Sequence, residues 1–260
     1  MLKIMIHKVL DGLGLEVVKK SGKGARFWPS QRRSGKTFFA NDQAFHALYE
    51  LAQSKTDMAG SDNPFRRQRH HTLTQLLKFA DMNAGDVCEL GSWRGLSAYQ
   101  IAHFLRSSNK NVLFHIFDSF EGLSEIETAD LPKTQMRDAE ANEQLRKEFA
   151  CSLEIVKRNL SEFDFIRYYK GWVPERFHEV EDRSFSFVHI DLDLYQPIRD
   201  SFEFFYPKLI KNGIMVFDDY GSSSFPGAKR AIDECLEKFG NPCFLWMPSG
   251  TAFLLKNTNE

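Results

Sequence analysis

Two stretches late in the chain run through apolar residues and end in acid. "FVHIDLDLYQP" (187–197) delivers Asp191 and Asp193, and "GIMVFDDYG" (213–221) delivers Asp218 and Asp219. Segments that otherwise suit a hydrophobic core seldom carry charge without a partner, so two such ends brought close together call for a cation. Asp191, Asp218 and Asp219 would offer oxygen ligands alone, a set suited to Mg²⁺, Mn²⁺ or Ca²⁺ rather than zinc. The competing reading is that each acid caps a helix or turn, and "DDYGSSSFPG" has the turn chemistry to absorb them. For one pair that reading would lead; two pairs at strand ends reverse the preference. His189 shares a strand face with Asp191 by the period of two. A histidine within an apolar strand is more often a satisfied core residue than a base.

Earlier in the chain, "ELGSWRGLSA" (89–98) reads as a glycine turn opening a helix. Gly91 and Gly95 would let backbone approach a ligand, beside free N–H groups of the helix start, with Ser92, Trp93 and Ser97 in the same turn. Glu89 is a poor neighbour for phosphate and suits an ammonium or sulfonium instead. A dinucleotide fingerprint needs glycine where Trp93 stands, which disfavours NAD. "FDSFEGL" (117–123) puts Asp118, followed by Ser119 and Phe120, where a ribose diol is usually held; the alternative is a cap. "YYKGWVPE" (168–175) offers Gly171 and Trp172 as a wall for an adenine ring, although Trp172 alone reads equally as a core aromatic. Taken together, the glycine turn and the acid point to an adenosine-containing ligand.

These residues have to be positioned by something, and the pattern of the chain says what. Candidate strands cover 86–91, 112–118, 165–170, 185–191, 213–219, 242–247 and 251–256. Helical segments fall between the first six, at 95–106, 136–160, 173–181, 196–211 and 226–239, and "PFRRQRHHTLTQLLKFADM" precedes them with Leu73, Leu76, Leu77 and Ala80 at helical spacing. Alternating strands and helices make βαβ units and a mostly parallel sheet, whose ligands sit at the carboxyl ends of the strands. Only "PSG" separates the last two strands, so they are expected to pair antiparallel at one edge. Residues 1–63 have a different texture: "KKSGKGARFWPSQRRSGK" is basic and turn-rich, and 41–53 is the one stretch there that reads as a helix. The chain thus divides into an extension, 1–63, and an α/β domain, 64–260.

The 260 residues are 42% hydrophobic and 27% charged with a formal net charge of −1, so no basic field invites nucleic acid. No apolar run is long enough to span a bilayer and the N-terminus lacks a signal-peptide centre, which predicts a cytoplasmic protein. Cys88, Cys151, Cys235 and Cys243 form no paired motif and read as free thiols.

The stretch from about Gly85 to Glu237 resembles the macrocin O-methyltransferase (TylF-type) family of class I S-adenosylmethionine-dependent enzymes. The resemblance is carried by "GDVCELGSWRG", "DSFEGL", "YKGWVPE", "HIDLDLY", "FYPKLIKNGIMVFDDYG" and "GAKRAIDE". It implies a Rossmann-like seven-stranded sheet with a reversed last strand. It also implies S-adenosylmethionine contacts at Glu89, Gly91, Trp93, Gly95, Asp118 and the Gly171–Trp172 turn, with Mg²⁺ or Mn²⁺ on Asp191, Asp218 and Asp219. The implied reaction is methyl transfer to a hydroxyl of a small molecule, such as a sugar in natural-product or polysaccharide biosynthesis, with Asp191 as the first candidate to accept the hydroxyl proton and His189 the second. Ser92 and Leu96 depart from the family's pattern, which more often has a bulkier residue and glycine there.

Two other classes fit parts of the chain. "DLD" (191–193) is also the word by which nucleotide-sugar glycosyltransferases hold Mn²⁺, but that leaves "ELGSWRG" and Asp218–Asp219 unexplained. A non-catalytic cofactor-binding protein would have no use for three mutually repelling carboxylates. Residues 1–60, with Arg26, Trp28, Arg32, Arg33, Phe38 and Phe39, cannot build a core of their own. They are expected to cover the strand ends as a lid that contacts substrate, or to pair with a second subunit in a homodimer; a loose tail is the alternative.

Overall fold

In the computed structural model, described residues are 15–19, 25–29, 39–58, 60, 62–82, 85–108, 112–131, 139–240 and 242–257. They belong to two compact units, Met1–His46 and Ala47–Glu260. The first unit contains strands β1 (Leu15–Lys19) and β2 (Ala25–Pro29), paired antiparallel from Leu15↔Pro29 to Lys19↔Ala25. That ribbon lies in the stretch expected to be irregular. Five residues a side are too few to show a clear alternation in the sequence. Of the aromatic and basic residues expected to form a lid, Arg32, Arg33 and Phe38 lie outside the described residues, as do the side chains of Arg26 and Trp28.

Helix α1 (Gln43–Lys55) follows, and then α2 (Pro64–Leu77). Asn63 caps α2 by accepting the Arg66 N–H at 2.8 Å, and Pro64 occupies the first turn, where its missing N–H costs nothing. The remaining strands are β3 (Asp86–Leu90), β4 (Phe114–Asp118), β5 (Ile166–Lys170), β6 (Phe185–Ile190), β7 (Leu209–Phe217), β8 (Cys243–Trp246) and β9 (Ala252–Leu255). They form one sheet in the order β5-β4-β3-β6-β7-β9-β8. Pairings from β5 to β7 are parallel, and β9 is antiparallel to both β7 and β8. This is the expected Rossmann-like sheet with its reversed last strand and edge hairpin.

Helices α3 (Leu96–Ser107), α4 (Ala139–Glu148), α5 (Leu153–Asn159), α6 (Tyr195–Lys208) and α7 (Pro226–Lys238) connect the strands. Two helical expectations are corrected. The segment 136–160 is broken, because Ser152 turns extended and caps α5 through its contact with the Ile155 N–H. The segment 173–181 contains only a 3₁₀ turn, Phe177–Val180, whose ends are both buried; the i, i+3 spacing that buries them is the 3₁₀ period. Strand β7 begins four residues earlier than read, at Leu209.

The core is largely aromatic. Phe117, Phe177, Phe185, Phe202, Phe205 and Phe217 are buried in one cluster, with Phe117 stacked on Tyr169 at 4.3 Å. Burying a phenyl side chain stabilises the fold by roughly 1.5–3 kcal/mol. This packing holds β3, β4, β6 and β7 rigidly, and so fixes where their carboxyl ends lie. Because β3 and β6 are neighbours while the chain runs from β3 outward to β5 before returning, the sheet has its topological switch point between them. A crevice opens there.

Candidate active site

The crevice is a cleft of about 430 Å³ at the strand ends. One side is the turn after β3. Gly91 (φ +82°), Trp93 (φ +46°) and Gly95 (φ +91°) take left-handed backbone, and a Cβ on Gly91 would stand 1.9 Å from the Asp191 carbonyl oxygen. Glycine at 91 is therefore what lets the turn lie against the end of β6. No side chain caps α3, whose N-terminus lies beside the cleft through Leu96 and Ser97.

Asp118, the last residue of β4, organises this turn. Its Oδ2 accepts the Ser92 N–H (2.7 Å), the Ser92 hydroxyl (3.1 Å) and the Trp93 N–H (3.1 Å), while Oδ1 accepts the Phe120 N–H (2.7 Å). Burial pushes its carboxyl above the usual range, and these donors oppose the shift. Gly91, Ser92, Trp93, Ser97, Asp118, Ser119 and Trp172 all line the cleft. Gly95, Phe120 and Gly171 shape the surrounding backbone without lining it.

Glu89 is placed differently from the other candidates. It is wholly buried, is not among the lining residues, and stands in register with His189 across the β3–β6 ladder. His189 Nδ1 meets Glu89 Oε1 at 3.0 Å. Burial opposes charge on His189, but Glu89, with Asp191 and Asp218 behind it, outweighs burial and pushes the imidazole up to about 9. Glu89 Oε2 and His189 Nε2 are buried without partners among the described residues. The pair thus lies under the cleft floor rather than in it.

The acids converge. Asp191, Asp218 and Asp219 each offer a carboxylate oxygen, all within 4.8 Å of one another. Oxygens on opposite sides of a divalent cation are about 4–5 Å apart, so the set fits Mg²⁺, Mn²⁺ or Ca²⁺ in both chemistry and spacing. Burial and then the charge of Asp218 push the Asp191 carboxyl well up, and burial and then Asp191 do the same to Asp219. Such mutual repulsion is what a cation relieves. Asp193, held at φ +59°, donates its N–H to Asp219 Oδ2 (2.8 Å) and turns the chain into α6.

Sequence reasoning missed the opposite wall. Helix α2 contributes Arg66, Arg69 and His70 to the cleft. The Arg69 guanidinium pairs with Asp218 Oδ2 at 2.7 Å, and Asp218 leads the acids that hold it protonated. Arg66 lies over the Trp93 ring at 5.7 Å, and His70 Nδ1 is 2.7 Å from the Gln100 amide. The basic run "RRQRHH" was the available signal, but the helical period does not say which face meets the strand ends. Within residues 47–60, Met58 also lines the cleft.

Comparison with known proteins supplies independent findings. The family model for macrocin O-methyltransferase (TylF) matches residues 19–240. Demethyldecarbamoylnovobiocin O-methyltransferase from Streptomyces niveus is 29% identical over 161 residues, 60% of this chain and 59% of that protein. The 8-demethyl-8-(2,3-dimethoxy-alpha-L-rhamnosyl)-tetracenomycin-C 4'-O-methyltransferase of Streptomyces olivaceus is 30% identical over 162 residues, 60% of this chain and 57% of that protein. The chain therefore spans less than two thirds of the length of these curated relatives. Among solved structures, the O-methyltransferase NovP superposes with a TM-score of 0.61 at 22% identity, over 74% of this chain and 81% of that one. A calicheamicin methyltransferase gives 0.59 at 19% identity, over 91% and 99%. At these identities the structures speak for the fold. No helix among the described residues is long and apolar enough to cross a membrane.

Proposed function

The chain belongs to the macrocin O-methyltransferase (TylF) family, and from that premise we propose that it moves a methyl group from S-adenosylmethionine to a hydroxyl of a glycosylated small molecule, with a divalent cation at the acids. The observation that carries the reading is one shared cleft: the turn after β3, Asp118 and the three-aspartate cluster all line it. When bound, the cofactor supplies an electrophilic methyl group, and the cation supplies charge that lowers the pKa of a nearby hydroxyl.

The chain's own residues do the rest. The Gly91–Gly95 turn and the α3 N-terminus would take the amino-acid end of the cofactor, Asp118 and Ser119 the ribose, and Trp172 one face of the adenine. Asp191, Asp218 and Asp219 would hold the cation, and the cleft they share with the cofactor turn would orient the acceptor hydroxyl, which is where rate is gained in a displacement needing no covalent intermediate. Asp191, which lines the cleft within the acid cluster, would accept the hydroxyl proton. His189, buried and tied to Glu89 outside the cleft lining, would not meet the acceptor directly. A sugar hydroxyl is the favoured acceptor, since one relative's name puts its methyl on a rhamnosyl 4'-oxygen.

The test combines binding and turnover. Calorimetry with S-adenosylhomocysteine, in chelator and then with Mg²⁺ or Mn²⁺, is expected to show binding in both. Transfer of labelled methyl to a panel of glycosylated acceptors is expected to stop in excess chelator and to return with either metal. Full turnover in chelator would remove the cation from the reading. Binding of a nucleoside-diphosphate sugar in place of S-adenosylhomocysteine would remove the reaction.

A further inference from the structure

A cluster of carboxylates needs a counter-charge before any metal arrives, and one is built into the fold. Arg69 projects from α2 onto the cluster, with its guanidinium 2.7 Å from Asp218 Oδ2. Its Nε is buried with no hydrogen-bond partner among the described residues, so the side chain has not settled into a fully satisfied bidentate pair. Asp218 is one of the three residues whose oxygens lie within 4.8 Å of one another.

We infer that Arg69 is an internal cation that neutralises the acid cluster in the metal-free protein and competes with the divalent cation for it, thereby setting metal affinity. The inference rests on the proposed metal site. A divalent ion within bonding distance of Asp218 would share that carboxylate with the guanidinium and stand only a few ångströms from a like charge. Metal binding must therefore weaken or break the Arg69–Asp218 pair. The same pair lets buried acids coexist in the folded chain without metal, since an uncompensated buried charge is strongly destabilising.

The experiment measures Mn²⁺ directly, by the paramagnetic resonance signal of the free ion, on the full chain without cofactor or acceptor. The proteins are wild type, Arg69→Met and Arg69→Lys, with metal-free melting temperatures measured in parallel. Removing the positive charge is expected to tighten Mn²⁺ binding by about tenfold or more and to lower the metal-free melting temperature. Arg69→Lys keeps the charge and is expected to stay within about threefold of wild type. If Arg69→Met does not fold in chelator, saturating Mn²⁺ is expected to restore folding, and failure to do so overturns the inference. So does a folded Arg69→Met that binds Mn²⁺ no more tightly than wild type, or an Arg69→Lys that gains as much as Arg69→Met. Wild type that binds Mn²⁺ while Arg69→Met gains nothing sinks the Arg69 inference alone. No binding by any of the three proteins at millimolar Mn²⁺ sinks the metal site along with it.

Discussion

Replacing Glu89 by glutamine removes one charge from a buried pair while leaving an oxygen that can still accept from His189 Nδ1. In the folded protein burial lowers the imidazole, and the Glu89 contact, with smaller help from Asp191 and Asp218, more than reverses it, so that His189 is pushed up to about 9 from a reference of 6.5. At about 1.4 kcal/mol per tenfold change in proton affinity, that interval is worth about 3 kcal/mol. A folded value above the unfolded one means that the stabilisation is fully present below about pH 6.5 and disappears as pH rises through about 9. Glu89→Gln should therefore be less stable than wild type by about 3 kcal/mol near pH 6, with the gap shrinking markedly by about pH 9.5. Urea unfolding of both proteins across that range, in chelator so that no metal contributes, measures the gap directly. Groups common to both proteins largely cancel in the difference. A gap of constant size at every pH would refute an ionised Glu89–His189 pair and leave a neutral hydrogen bond in its place.

Asp118→Ala strips four donors of their acceptor, the Ser92, Trp93 and Phe120 N–H groups and the Ser92 hydroxyl. With hydrogen bonds to a charged group worth about 1.5–3 kcal/mol each, and solvent replacing some of them, a loss of at least about 2 kcal/mol in urea unfolding is expected, together with weaker S-adenosylhomocysteine binding by calorimetry. Unchanged values in both would return Asp118 to an incidental cap. Gly91→Ala forces a Cβ toward the Asp191 carbonyl oxygen at a backbone angle that costs L-residues about 1–2 kcal/mol before any clash. A stability loss of at least about 2 kcal/mol and impaired Mn²⁺ binding are expected, because relieving the clash moves the end of β6; wild-type metal affinity would contradict that coupling.

The sequence alone determined which residues end strands. Apolar runs that stop at Asp118, Asp191 and Asp218–Asp219, separated by helical periods, can be laid down as a parallel sheet in few ways, and that topology sends every such end to one edge. The glycine turn was legible for the same reason: left-handed backbone at Gly91 and Gly95 is a local demand that glycine announces. Helix ends were less legible where one capping serine, Ser152, outweighed a long polar helical pattern. Pairing across elements lay beyond the sequence. Glu89 read as a partner for an ammonium or sulfonium, and nothing in the sequence says that the β3–β6 register sets it opposite His189, since register is fixed by packing of both sheet faces. Arg69 sits in a basic run of a helix whose period allows several orientations, and only the seating of α2 beside the strand ends brings its guanidinium to Asp218. Periodicity is local and can be read along the chain. Which charge meets which is decided by the packing that brings distant segments within a few ångströms.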